Sequence, residues 1–146
     1  MRSQTYLRAT TVLAAAGTLF SGYLSMVRMR TGVCALDEPC PFFLGYPACY
    51  TGFILFGLAF CISFVALARK VRTGWPIVLN GLIGGVGVLF ARTMIATELR
   101  ARGNYRLGLS TCAYGLIFFM ALLVASAYAG IGRWRGRHIA GRATSA

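Results

Sequence analysis

LGYPACYTG, residues 44–52, returns as LGLSTCAYG, residues 107–115. Leu, Gly, Cys and Gly keep their spacing, so Cys49 and Cys112 occupy equivalent positions. Each stretch opens a long apolar run and puts its cysteine at the head of that run. The match extends through Ile54/Ile117 and Phe56/Phe119 at an offset of 63, then fades. Upstream, Gly17-Thr-Leu-Phe20 returns as Gly87-Val-Leu-Phe90, and Arg30 as Arg100, at an offset of 70. The first half therefore carries seven extra residues, which fall in the loop between Thr31 and Phe43.

Composition sets the class. The 146 residues are 58% hydrophobic and 12% charged, with mean hydropathy +0.68. A soluble domain carries about twice that charged share. Four apolar runs reach the roughly 20 residues that cross a bilayer as helix: about Ala9–Val27, Leu44–Ala68, Pro76–Ala96 and Gly108–Ile131. Without water, backbone groups must pair within their own segment, which predicts helices. The expected fold is an all-α membrane protein, a four-transmembrane-helix bundle of two tandem hairpins. An even number of helices per repeat makes the copies parallel, related by an axis along the membrane normal. The four-helix domain is expected over residues 1–132, with repeats at about 9–68 and 76–131. A basic tail over 133–146 is expected to be disordered. The opening stretch MRSQTYLRATTVLAAAG has the outline of a signal peptide. Its continuation into Gly17–Phe20 makes it half of a repeat instead.

Net charge is +12. The basic residues sit between apolar runs, as in membrane proteins generally, so no nucleic-acid partner is expected. Nine Lys and Arg lie in the N-terminus, the middle loop and the tail, against six on the other face. That other face also holds all three acids, Asp37, Glu38 and Glu98. The count predicts an integral protein of the cell membrane, inner or plasma, with both termini cytoplasmic and the Cys34–Cys40 loop outside. Arg133, Trp134, Arg135 and Arg137 form a juxtamembrane patch suited to anionic headgroups of the lipid bilayer. Gly81, Gly84, Gly85 and Gly87 are expected to pack helices closely, and a homo-oligomer through that face is one use. Asn80 is expected to bond locally. Arg92 lies inside the third run; an ionisable residue there is a candidate ligand-binding group, with snorkelling to the headgroups as the plainer use.

There are five cysteines. Cys34 and Cys40 flank Asp37, Glu38 and Pro39 in the loop, where a disulfide is feasible on the oxidising side. Cys49 and Cys112 start helices, whose positive dipole end stabilises a thiolate. Thiols there, beside a loop disulfide, suffice for thiol–disulfide exchange. Cys61 lies mid-helix and is expected to pack. The spacings lack a CxxC pair of the zinc type and no His is near, so no metal is expected.

These residues resemble the vitamin K epoxide reductase family of integral-membrane thiol oxidoreductases. The entry to helix 2 in its bacterial members reads like F/L-G-I-P-x-x-x-x-G, matched by Phe43, Leu44, Gly45, Pro47 and Gly52. A first helix leading to a two-cysteine loop is also similar. In the family, helix 4 opens with a CxxC that exchanges electrons with a quinone. Cys112 aligns with its second cysteine, and Leu109 stands where the first would be. Ala48 replaces a residue that is polar in many members, and the loop between helices 1 and 2 is short. The resemblance implies a quinone-like cofactor and an extracytoplasmic thiol protein as partner. It also implies Cys49 and Cys112 as the catalytic pair, with Cys49 in place of the missing cysteine, and Cys34/Cys40 as the shuttle. Two other functions fit the same chain: a non-catalytic membrane subunit stapled by a loop disulfide, and a small transporter.

Overall fold

Apolar chain in lipid satisfies its backbone by coiling into helices, and the computed structural model of this chain is built that way. It describes residues 3–32, 42–43, 46–71, 74–102 and 111–143. The helices are α1 (Ser3–Thr31), α2 (Ala48–Ala68), α3 (Trp75–Arg102) and α4 (Thr111–Ala143). All four are long and apolar enough to cross a membrane. Two-residue strands β1 (Phe42–Phe43) and β2 (Tyr46–Pro47) pair antiparallel just before α2. The protein is an all-α membrane bundle of four helices.

Helix ends follow local chemistry. α2 starts at Ala48 rather than Leu44, because a residue preceding proline is biased away from helical dihedrals, and Tyr46 precedes Pro47. α2 ends in a Schellman motif: Val71 N–H bonds Ala66 O at 2.9 Å, Lys70 N–H bonds Leu67 O at 3.1 Å, and Lys70 takes φ 49°. α1 ends on Gly32, at φ 71°, whose N–H bonds Arg28 O. α4 continues as helix to Ala143, through most of the tail expected to be disordered; the stretch contains no proline to stop it.

α1 packs against α2 and α3 against α4, and the two hairpins meet through α1–α4 and α2–α3. Both hairpins are antiparallel. Gly17 lies against Phe56 and Gly22 against Phe53; Gly87 lies against Phe119, Gly84 against Leu123 and Gly81 against Ser126. The repeat is visible in what is buried. Tyr6, Thr10, Ala14, Gly17, Ser21 and Leu24 are buried on α1; Pro76, Asn80, Gly84, Gly87, Ala91 and Met94 follow at the same spacing on α3. Phe56, Ala59, Ser63 and Ala66 on α2 match Phe119, Leu122, Ser126 and Ala129 on α4. The phenylalanine pair meets at the middle: the Phe56 and Phe119 rings stack at 4.1 Å and 10°. Equivalent residues meet face to face only where they lie near a pseudo-twofold axis.

The interior mixes small residues with a few large ones (Tyr6, Leu7, Phe56, Phe119 and Leu122), and many other large apolar residues point outward. Ala59 and Ala66 are fully buried, while Leu19 and Tyr128 are about three-quarters exposed. Large apolar side chains facing outward suit a bundle solvated by lipid. The α3 glycines Gly81, Gly84 and Gly87 face α4 of the same chain, while Gly85 faces open space. Most of the close-packing face proposed for a second copy is thus used internally. Hydroxyls in the spans are satisfied by carbonyls one turn back, as with Thr18 to Ala14 (2.8 Å) and Ser25 to Ser21 (2.8 Å).

Candidate functional site

Cys49 is the second residue of α2 and Cys112 the second residue of α4. The pseudo-twofold relation brings both helix starts to the same end of the bundle, and both thiols line one cavity there. Its walls come in equivalent pairs: Phe20 with Phe90, Gly52 with Gly115, and Phe56 with Phe119 as the floor. Ser21 is matched by Ala91. The Ser21 hydroxyl donates to Gly17 O at 2.7 Å, so it turns away from ligand duty. The lining is otherwise apolar apart from the two sulfurs. The cavity holds about 50 Å³. An enclosed apolar cavity of about 150 Å³ is what takes a benzene ring. An aromatic ligand would therefore sit at the mouth, above the thiols.

The electrostatics of the site come from backbone. The first turns of α2 and α4 carry N–H groups that lack intrahelical acceptors, and neither turn contains an acidic residue to offset them. Two positive helix ends thus converge near the sulfurs. Phe20 also touches Tyr114 and Phe118 of α4, at 5.9 and 6.1 Å between centroids, closing the α1–α4 side.

The structure places the other candidates elsewhere. Arg92 is exposed on α3; its neighbours Phe90 and Ala91 line the cavity and it does not. Cys61 is exposed on α2. Cys34 and Cys40 lie outside the described residues. Among those described, no three His, Cys, Asp or Glu side chains converge as a metal group would. Sequence reading missed the phenylalanine walls. The signal was present, because the offset of 63 that pairs the cysteines also pairs Phe56 with Phe119, and the offset of 70 pairs Phe20 with Phe90.

A second cluster lies toward the opposite end, which carries both termini. The equivalent serines Ser63 and Ser126 each receive a bond from the other hairpin. Asn80 Nδ2 donates to Ser63 Oγ at 2.8 Å. Ser126 Oγ donates to Leu122 O, so at 2.9 Å from the Tyr6 hydroxyl it accepts, and Tyr6 donates. Pro76 is the repeat equivalent of Tyr6 and has no side-chain donor; Asn80, one turn on, takes over. Asn80 was expected to bond locally, and it bonds across the α2–α3 interface instead. Its Oδ1 has no partner among the described residues.

Compared with protein-family models, curated proteins and solved structures, the chain matches none.

Proposed function

We propose that the protein is a membrane-embedded thiol–disulfide oxidoreductase whose working pair is Cys49 and Cys112. One observation carries this: the repeat-related cysteines line the same apolar cavity at the same end of the bundle. Their position at two helix starts, with no acid in either first turn, favours the anionic form that thiol exchange needs. The resemblance of residues 43–52 and Cys112 to the vitamin K epoxide reductase family supports the same chemistry.

The cycle balances with two partners named by class. An extracytoplasmic dithiol protein reduces a Cys34–Cys40 disulfide by exchange and leaves as the disulfide. The Cys34/Cys40 dithiol then reduces the Cys49–Cys112 disulfide. A quinone takes the two electrons and two protons released when Cys49 and Cys112 rejoin, and leaves as hydroquinone. The residues of this chain orient and shield: Phe20 and Phe90 offer aromatic walls, the Phe56/Phe119 floor keeps water out from below, and the helix ends steady the thiolate. On the charge count both termini are cytoplasmic and the cysteines face outward.

Thiol mapping in native membranes tests the proposal. Thiols are tagged by mass before reductant, after reductant, and after added quinone. The expected result is that Cys49 and Cys112 are tagged after reduction and protected again by quinone. Cys49→Ser should abolish the protection of Cys112. If both thiols stay taggable under every condition, the protein is a non-catalytic membrane subunit.

A further inference from the structure

At the end opposite the thiols, α3 and α4 part around a groove of about 230 Å³ lined by Gly74, Ile77, Val78, Gly130, Arg133 and Trp134. From its composition we infer that this groove binds the headgroup and upper acyl chain of one anionic phospholipid. This goes beyond the general attraction of a basic tail for a membrane surface, and shares with the proposed function only its orientation.

Two glycines make the groove. Gly130 faces Ile77 across it, and a Cβ there would stand 3.9 Å from Ile77 Cγ2; a Cβ at Gly74 would stand 3.6 Å from Arg133 Nε. Any larger residue at Gly130 would fill the space. The groove is amphipathic in the sense a lipid needs. Ile77 and Val78 form an apolar wall along which a chain can lie, and the Arg133 guanidinium lines the groove beside Gly74, with the fork geometry that holds a phosphate. Its depth is right: Trp75 and Trp134, the only tryptophans of the chain, flank it, and tryptophans settle at headgroup level. The charge is complementary too. Arg69, Lys70 and Arg135 lie at the same end. A basic pocket between helices at the cytoplasmic surface, where anionic lipid concentrates, is a recognised headgroup site.

The test uses the full chain in phosphatidylcholine vesicles with Trp75→Phe, leaving Trp134 as the one tryptophan, excited selectively over the tyrosines. Phosphatidylglycerol with brominated chains is compared with brominated phosphatidylcholine at equal mole fraction. Phosphatidylglycerol should quench Trp134 more strongly, and that preference should fall roughly fivefold in Arg133→Gln. Gly130→Val, which fills the groove but keeps every charge, should abolish the preference. Arg135→Gln, exposed on the same turn, should preserve most of it. Equal losses in Arg133→Gln and Arg135→Gln, with none in Gly130→Val, would mean a diffuse basic surface and overturn the site. So would loss of the phosphatidylglycerol preference when inorganic phosphate is added at millimolar concentration, which would mean a free-phosphate site. A Gly130→Val chain that fails to fold leaves the two arginine variants to decide.

Discussion

The two ends of the bundle are built from the same repeat and treat it differently. At the cysteine end the equivalent pairs line an apolar cavity open at its mouth. Toward the terminus end the equivalent serines are each closed by a donor from the facing hairpin, Tyr6 on Ser126 and Asn80 on Ser63. The Phe56/Phe119 stack divides the two. Paired positions thus line a cavity at one end and fasten the two hairpins together at the other. Symmetry supplies the pairs, and side-chain size and polarity decide their use.

The sharpest way to break this contrast is to attack its divider. Gly87→Val drives a side chain into the Phe119 ring, and Gly17→Val does the same to Phe56. Each should cost about 1–3 kcal/mol, the range for overpacking a filled core, read as a fall in unfolding midpoint in detergent. Opening the fastened end should cost less. Tyr6→Phe removes one inter-hairpin bond, worth about 0.6 kcal/mol on average inside membranes. Asn80→Leu should cost no more than that, since it also removes a buried amide oxygen with no described partner. A double-mutant cycle of Tyr6→Phe with Ser126→Ala checks the pairing.

The open end should tolerate change. A Cβ at Gly115 meets nothing within 4 Å. Gly115→Ala should therefore stabilise α4 by about 0.5 kcal/mol, because glycine is a poor helix interior residue. A clear loss of stability there would mean that the cavity is filled in the working protein. The smallest test concerns the α2 cap, which lies outside the contrast. Lys70 holds a left-handed conformation that glycine adopts freely, so Lys70→Gly should raise the unfolding midpoint slightly.

Much of this was legible in advance. The four runs, their pairing into hairpins and the equivalence of Cys49 with Cys112 all follow from lengths and offsets. Boundaries were less so. α2 starts four residues later than its apolar run because Pro47 biases Tyr46 away from helix, and α4 outlasts its apolar run because no proline stops it where hydropathy falls. The partners of the α3 glycines were not legible either. GxxxG spacing says that something packs closely, and only the fold says that Gly84 meets the Leu123 backbone within its own chain.

Apolar length and the offsets of 63 and 70 were enough to establish a duplicated four-helix membrane protein with two equivalent thiols, because both are properties of the chain read along itself. Which apolar face turns inward needed the packed bundle. Lipid and bundle interior are equally apolar, so no contrast in polarity marks the buried side of a membrane helix. The meeting of Phe56 with Phe119, the shared cavity of Cys49 and Cys112, and the groove beside Arg133 all rest on that choice of face, which packing of small residues against large ones makes.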